Sequence, residues 1–564
     1  MTSLNTGPFL RPETPGVEVT RDVEIVARDG VRLSVDIYHP ADWAQTNYPA
    51  LLAVSGYQKA LAGLPVTASF PFRETGPIEW YVRRGYVYVL ADARGTGHSG
   101  GEWDFLGPEE QTDLYDMIEW IAAQSWCTGK VGMIGQSYYG MIQWLAALQK
   151  PPHLTCIAPY DALVDQYRDN VFHGGIPCTF AVSWDLVLRA NHVWGPDSDR
   201  GLRFRTPPLE AMLRHPTDDD FWRARAAYPR LGEIDIPVLS VGNWGKNSLH
   251  ARGNVVGYEQ VRGVRRLRME AGAQPPSLNV VKALLDFDSV EFHEEILAPW
   301  YDHWLRGVDN GVLDTAPVSV HVSGVDEHQE FEEWPPAAAR DRSFYLAAGT
   351  SSPVRSLNDG ALVPVASATG STSYSYPDPG WHLGTATVTS LGVPNPVARI
   401  LTFSTPPLPE DVTSIGAGRL EIYLSSDQLD TNVIVRVCDE SPRPQDLHPE
   451  LPTPFTIVSR GWLRASHRTL DPLLSTQERP YHTHSDPRPL EPGRVYRLDI
   501  ELMPMAHVFK AGHRIRLDIA NGDSPVTEAI FAHYYTPQAG TDTVHHDHEH
   551  QSRLVLPILG HTHD

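Results

Sequence analysis

The spacing of hydrophobic positions changes several times along this chain, and each change marks a part of the molecule. The stretch DVEIVARDGVRLSVDIYHP alternates apolar and polar residues on both sides of Asp29-Gly30. That pattern predicts two strands joined by a tight hairpin turn. YPALLAVSGY, YVYVLADARG and KVGMIGQS are short continuous apolar runs instead, as expected of strands buried on both faces. Between the last two, PEEQTDLYDMIEWIAAQ puts Leu114, Met117, Ile118 and Ile121 at helical spacing behind an acidic first turn, which suits a helix N-terminus. Strands alternating with helices predict a parallel sheet with helices on its faces.

This rhythm stops between about residues 151 and 233, which are rich in Trp, Arg, Asp and Pro and contain an evident loop, DSDRGLRFRTPP. A mainly helical insertion over the sheet is expected there. The strand rhythm resumes at IDIPVLSVGNW, and a helix, EEILAPWYDHWLRG, closes the first half. From about residue 312 the chain becomes a series of short alternating segments, RLEIYLSS, NVIVRVCDE, VYRLDIEL and HRIRLDIA, separated by Pro, Gly and Asp clusters. These predict an antiparallel β-sandwich of jelly-roll type. The expected organisation is an α/β domain from residues 1–150 and 234–311, a helical cap at 151–233 and a sandwich at 312–564. No internal repeat is visible.

Composition narrows the function classes. A chain of 564 residues is too long for one core, and 41% hydrophobic content supports several. The formal charge of −23 argues against nucleic acid or an anionic membrane as the main partner, favours solubility and names no substrate. A homo-oligomer remains open. Cys127, Cys156, Cys178 and Cys438 have no CxxC spacing, so reduced, buried thiols of a cytoplasmic protein are expected. The first residues, MTSLNTGPFLRPETPG, lack the pattern of a signal peptide, and no apolar run is long enough to span a membrane.

The chemistry centres on VGMIGQSYYG, residues 131–140. A nucleophilic serine needs a base for its proton and donors for the developing oxyanion. A sharp strand-to-helix turn supplies the geometry, and Gly135-Gln136-Ser137 sits between an apolar strand and a helix-like segment. The following glycine comes three residues after the serine rather than two. Alone, such a motif also fits a serine capping a helix.

The segment QSWCTGKVGMIGQSYYG resembles the GxSYxG elbow of the X-prolyl dipeptidyl peptidase and cocaine-esterase-like serine hydrolases, the CocE/NonD hydrolases. DGVRLSVDIYHP and DARGTGHSGGEW are similar to the N-terminal half of that family. FTIVSRGWLRASHR, HVFKAGHRIRLDIANGDSP and HHDHEHQSRLVLPI are similar to its C-terminal jelly roll. The resemblance covers nearly the whole chain and implies an α/β-hydrolase domain, a helical cap and a jelly-roll β-sandwich. It also implies Ser137 as nucleophile, with an oxyanion hole made by the Tyr57 hydroxyl in SGYQK and the Tyr138 backbone N–H. No metal or organic cofactor is implied.

The family's acid and base do not carry over. Lys246, in PVLSVGNWGKNSLHARGN, stands where the resemblance expects the aspartate, and Gln274 stands nearest the expected histidine. Glutamine does not titrate, and lysine cannot orient an imidazole as a carboxylate does. Three explanations stay open. His250 is a candidate base and Asp161 a candidate displaced acid, with Glu270 also near. Alternatively the scaffold runs isomerase, cyclase, lyase or acyl-transfer chemistry, or it binds a ligand without catalysis. Trp184 and Trp194 are expected walls for a small hydrophobic substrate. HHDHEH at 545–550 is read as adventitious metal affinity at most, Asp427 and Asp430 as turn residues, and DARGTGHSGG as a backbone turn beside the site, since it lacks the ending of a phosphate loop.

Overall fold

The computed structural model describes residues 15–43, 47–63, 74–194, 202–272, 287–349, 358–367, 369–377, 401–442, 455–523, 528, 531–534 and 539–560. The opening hairpin forms as the alternation predicts. β1 (Val17–Val26) pairs antiparallel with β2 (Arg32–Pro40), and Gly30 takes a positive φ of 86° in the turn. The apolar runs become β3 (Tyr48–Ser55), β4 (Val87–Asp92) and β5 (Cys127–Met133), followed by β6 (Leu154–Ile157). A short β7–β8 hairpin (Phe172–His173, Ile176–Pro177) lies in the insertion. The main sheet then continues with β9 (Val238–Asn243), β10 (Arg265–Glu270), β11 (Val318–Val322) and β12 (Glu327–Phe331).

The sheet order is β1-β2-β4-β3-β5-β6-β9-β10-β11-β12, parallel from β4 to β11. β3 and β4 are buried almost throughout because helices cover both faces. α1 (Ile78–Arg83), α2 (Pro108–Ala122) and α3 (Tyr138–Leu148) precede the insertion. The insertion holds α4 (Phe180–Trp194), α5 (Pro208–Arg214) and α6 (Asp220–Arg223), so it is helical as expected, with the added β7–β8 hairpin. α7 (Ala251–Gln260) and α8 (Ala298–Arg306) complete the α/β half. A crossover between parallel strands leaves every strand's C-terminal end at the same edge, where ligands of such sheets bind.

The expected boundary at residue 312 needs one correction. β11 and β12 lie beyond it and yet extend the first sheet, β11 pairing parallel with β10. Alternation along VSVHV reads the same on a strand of either sheet, so the sequence pattern could not assign it. The remaining C-terminal strands form a second, thirteen-stranded hydrogen-bonded network. Asn432–Glu440 pairs antiparallel with both Phe455–Arg464 and Arg514–Ala520. The inward positions Leu420, Ile422, Leu424, Val433, Val435 and Val437 share one core.

Arg252 of α7 ties three parts together. It is buried, donating Nη1 to Asp169 Oδ1 of the insertion at 2.8 Å and Nε to Glu501 Oε1 of the sandwich at 3.0 Å. Arg479 also donates to Glu501, at 2.8 Å. Removing one partner of a buried network strands the others without solvent. Arg252→Met is therefore expected to lower stability by about 3–5 kcal/mol. Arg230→Ala, which breaks an exposed pair with Glu233, should leave stability nearly unchanged. Parallel denaturant or thermal unfolding of the two variants checks the contrast.

Candidate active site

Strand β5 ends at Met133, and the chain turns into α3 at Tyr138. At the turn Ser137 holds φ 58° and ψ −114°, a conformation L residues rarely adopt. Its surroundings enforce it. Ser137 N–H donates to the Tyr160 and Asp161 carbonyls at 3.1 Å, and Gln136 N–H donates to the Glu74 carbonyl at 2.8 Å. A Cβ on Gly135 would meet Tyr139, and one on Gly140 would come within 2.9 Å of both Ala162 Cβ and the Tyr160 carbonyl. The glycine three residues after the serine is thus where the first turn of α3 presses on the chain leaving β6.

Tyr57 follows β3 at the same sheet edge. Its hydroxyl accepts the Trp184 Nε1 proton at 3.0 Å. An indole N–H can only donate, so the phenol keeps its own proton to give elsewhere. The Ser137 hydroxyl lies against it. Burial raises the Tyr57 pKa well above 10, so the phenol stays protonated. Tyr138 opens α3, and its N–H is one of those a helix leaves without an intrahelical carbonyl. The Tyr138 side chain turns away and donates to Glu110 at 2.7 Å. Burial pushes Glu110 up to about 7, so this acidic residue of α2 serves a tyrosine as well as a helix end.

The loop DARGTGHSGG fixes this edge. Asp92 accepts from the backbone N–H of Lys59 at 2.7 Å and of His98 at 2.9 Å, which pins the chain just past Tyr57. It is a turn, as the sequence suggested.

Ser137 and His250 come together: Oγ lies 3.4 Å from His250 Nε2, with His250 immediately before α7. Asp161 reaches a different pair. Its carboxylate accepts from Gln136 Nε2 at 2.8 Å and from Asn243 Nδ2 at 2.9 Å, and His250 Nδ1 is buried with no hydrogen-bond partner among the described residues. Lys246 Nζ stands 4.0 Å from Asp161 Oδ2. Burial lowers the His250 pKa well below 6.5, with the Lys246 ammonium adding to it, so the imidazole is neutral at neutral pH. Burial raises Asp161 to about 6 against the pull of Lys246 and the two amides.

One neighbour carried no signal in its local sequence. Glu74, just before α1, is buried beside the Ser137 hydroxyl, and burial raises its pKa well above 4.5. Nothing in RETGP marks it, because only the tertiary fold brings it to the serine. Glu270 is occupied elsewhere, paired with Arg268 at 2.6 Å and His328 at 3.3 Å. Gln274 and the side chain of Trp194 lie outside the described residues. Asp430 accepts from Arg464, Thr431 and Ser466, as a turn residue would. Asp427 likewise accepts from the Thr541 N–H at 2.8 Å. All four cysteines are free; Cys127 is only half-buried, unlike the other three, because it opens a strand at the rim. Among the described residues no helix is long and apolar enough to cross a membrane.

Aromatic rings pack on one another around Tyr57, with Tyr57 edge-on to Tyr138 at 5.9 Å and Trp103 edge-on to Trp184 at 6.3 Å. The arrangement brings together a strained serine, a neutral imidazole, a protonated phenol and the first N–H of α3.

Known proteins share this architecture. Residues 29–273 match the X-Pro dipeptidyl-peptidase (S15 family) model, and residues 310–555 match that of the X-Pro dipeptidyl-peptidase C-terminal non-catalytic domain. Cocaine esterase of Rhodococcus sp. is 25% identical over 603 aligned residues, covering 96% of this chain and 98% of that one. A CocE/NonD family hydrolase from Staphylococcus aureus superposes with a TM-score of 0.80 at 24% identity, over 96% of this chain and 93% of that chain. An α-amino acid ester hydrolase superposes at 0.73 with 20% identity, over 99% of both. With matching models across both halves, the chain belongs to the CocE/NonD family of X-Pro dipeptidyl-peptidase-like serine hydrolases.

Proposed function

We propose that the chain hydrolyses a small, largely hydrophobic ester through an acyl-enzyme on Ser137. The observation that carries this reading is the 3.4 Å approach of His250 Nε2 to Ser137 Oγ at a strained elbow. Ser137 Oγ attacks the ester carbonyl carbon while its proton passes to His250 Nε2. The Tyr57 hydroxyl and the Tyr138 N–H hold the oxyanion. Collapse expels the alkoxide, which takes the proton back from His250, and water repeats the sequence to release the acid.

An ester is favoured over an amide for a physical reason. The imidazolium formed during attack has no carboxylate on Nδ1 and faces the Lys246 ammonium, so His250 is a weak base. Ester carbonyls are the more electrophilic and alkoxides the better leaving groups. The Glu74 carboxyl, whose pKa burial raises, lies beside the serine hydroxyl and positions it. The Trp184 and Tyr57 rings suit an apolar acyl group.

The missing carboxylate also favours a second reading, in which the same donors stabilise an enolate or other oxyanion without an acyl-enzyme, or serve a ligand-binding site. A fluorophosphonate probe separates the two. Labelling at Ser137 that disappears in Ser137→Ala supports hydrolysis. Absence of labelling, with turnover retained in Ser137→Ala, supports the second reading. Under the first, Tyr57→Phe and His250→Gln are each expected to lower kcat by about 100-fold or more. Steady-state kinetics on short-chain aryl esters reads this.

The depressed His250 pKa has two pH consequences. The base remains deprotonated below pH 6.5, so the acid limb of kcat/KM should fall below that value. Lys246→Met removes a charge that lowers the pKa, and it should move the limb to higher pH. In stability the sign runs the same way: between the two pKa values the unfolded state binds the proton, so stability falls as pH drops below about 6.5. Rate profiles of both proteins between pH 4.5 and 8 test the displacement.

A further inference from the structure

The seam between the cap and the sandwich holds a second cluster that the proposed reaction does not use. His173 of β7, Cys178 just past β8 and His533 of the sandwich are all buried, and their potential ligand atoms lie within 4.8 Å of one another. His173 Nδ1 and His533 Nε2 face each other at 3.0 Å.

The opposite ring atoms fix the tautomers. His173 Nε2 lies 3.2 Å from the Asp169 backbone carbonyl, which can only accept, so Nε2 carries the hydrogen. His533 Nδ1 lies 2.8 Å from the Asp523 carboxylate, so Nδ1 carries its hydrogen too. In their neutral forms the two rings therefore aim lone pairs at each other in a dry site. That contact is repulsive unless a cation sits between them.

We propose that the cation is a first-row transition-metal ion of the zinc or copper class, held by His173, Cys178 and His533. A proton shared between two nitrogens has no use for a third donor, whereas a thiolate completes a two-histidine, one-cysteine set suited to those ions. Bond lengths of about 2.0–2.3 Å place tetrahedral ligand atoms roughly 3.3–3.6 Å apart, close to the nitrogen separation seen. The outer contacts have the form metal-bound histidines adopt, each giving its second N–H to a carboxylate or a backbone carbonyl. Trp462 stacks on His173 with ring centroids 4.6 Å apart, which restrains that ring. Binding the ion releases the Cys178 proton to solvent and leaves a thiolate.

The ion would fasten a particular part of the fold. Phe180, two residues beyond Cys178, begins α4, the helix whose Trp184 donates to Tyr57. Thr179 N–H already donates to the Ala532 carbonyl beside His533, at 2.8 Å. The metal would thus anchor the root of that helix to the sandwich. His545, Asp547 and His550 of the HHDHEH stretch also gather within 4.8 Å, but they are only half-buried, and His550 Nδ1 is bonded to Asp547 at 3.2 Å. They provide an internal control.

The test uses the full chain, untagged and grown in metal-supplemented medium. Element analysis after extensive dialysis is expected to find about one zinc or copper per chain, lost in His533→Gln and kept in His550→Ala. Cobalt(II) added to the chelator-treated protein should give a near-ultraviolet thiolate-to-cobalt charge-transfer band that Cys178→Ser abolishes. The wild-type cobalt spectrum answers the question even if a variant fails to fold. Absence of retained metal together with absence of the charge-transfer band overturns the proposal and leaves a shared proton. Metal retained in His533→Gln and lost in His550→Ala overturns it as well.

Discussion

The backbone at Ser137 is the constraint on which the rest of the site depends. A positive φ at a non-glycine residue costs of order 1–3 kcal/mol and persists only where neighbours leave no alternative. Here the neighbours come from three places: the carbonyls after β6, the Glu74 carbonyl before α1, and two glycines that let α3 pack without a Cβ. Because the strain turns Oγ out of the strand-to-helix bend, every other functional group can be described by how it reaches that one atom.

Charge around that atom is arranged unusually. Two buried carboxyls, Glu74 and Asp161, have pKa values raised by burial, and a single buried lysine lies among them. Where a triad would have a carboxylate behind the imidazole, this chain has Lys246 nearby and an Nδ1 with no partner among the described residues. Asp161 is spent on Gln136 and Asn243, which hold the turn after β9 against the elbow. The result is a histidine kept neutral but poorly equipped to become charged. In the proposed reaction such a site holds an oxyanion better than it drives proton transfer.

The insertion acts as more than a cover. Its helix α4 supplies the indole that orients Tyr57, and Asp169 near its start is joined through Arg252 to the sandwich. The placement of the Tyr57 hydroxyl is thereby coupled to the packing of all three parts. Buried ionic links of this kind are costly to break one partner at a time, which favours a single relative placement of those parts.

Much of this protein was written in local sequence. Period-two alternation, continuous apolar runs and a 3.6-residue repeat follow from which faces each element buries, so the strands, α2 and the hairpin at Asp29-Gly30 were legible. The serine at a strand-to-helix turn was legible for the same reason, as was Tyr57 just past β3. Tertiary structure decided what those patterns do not encode. Strands β11 and β12 joined the first sheet because pairing partners, not alternation, select a sheet. Glu74 and His250 met Ser137 across 63 and 113 residues of chain, and Asp161 turned to two amides instead of the imidazole. Local patterns report burial of a face; proximity between distant side chains is set only when the sheets, helices and insertion close on one another.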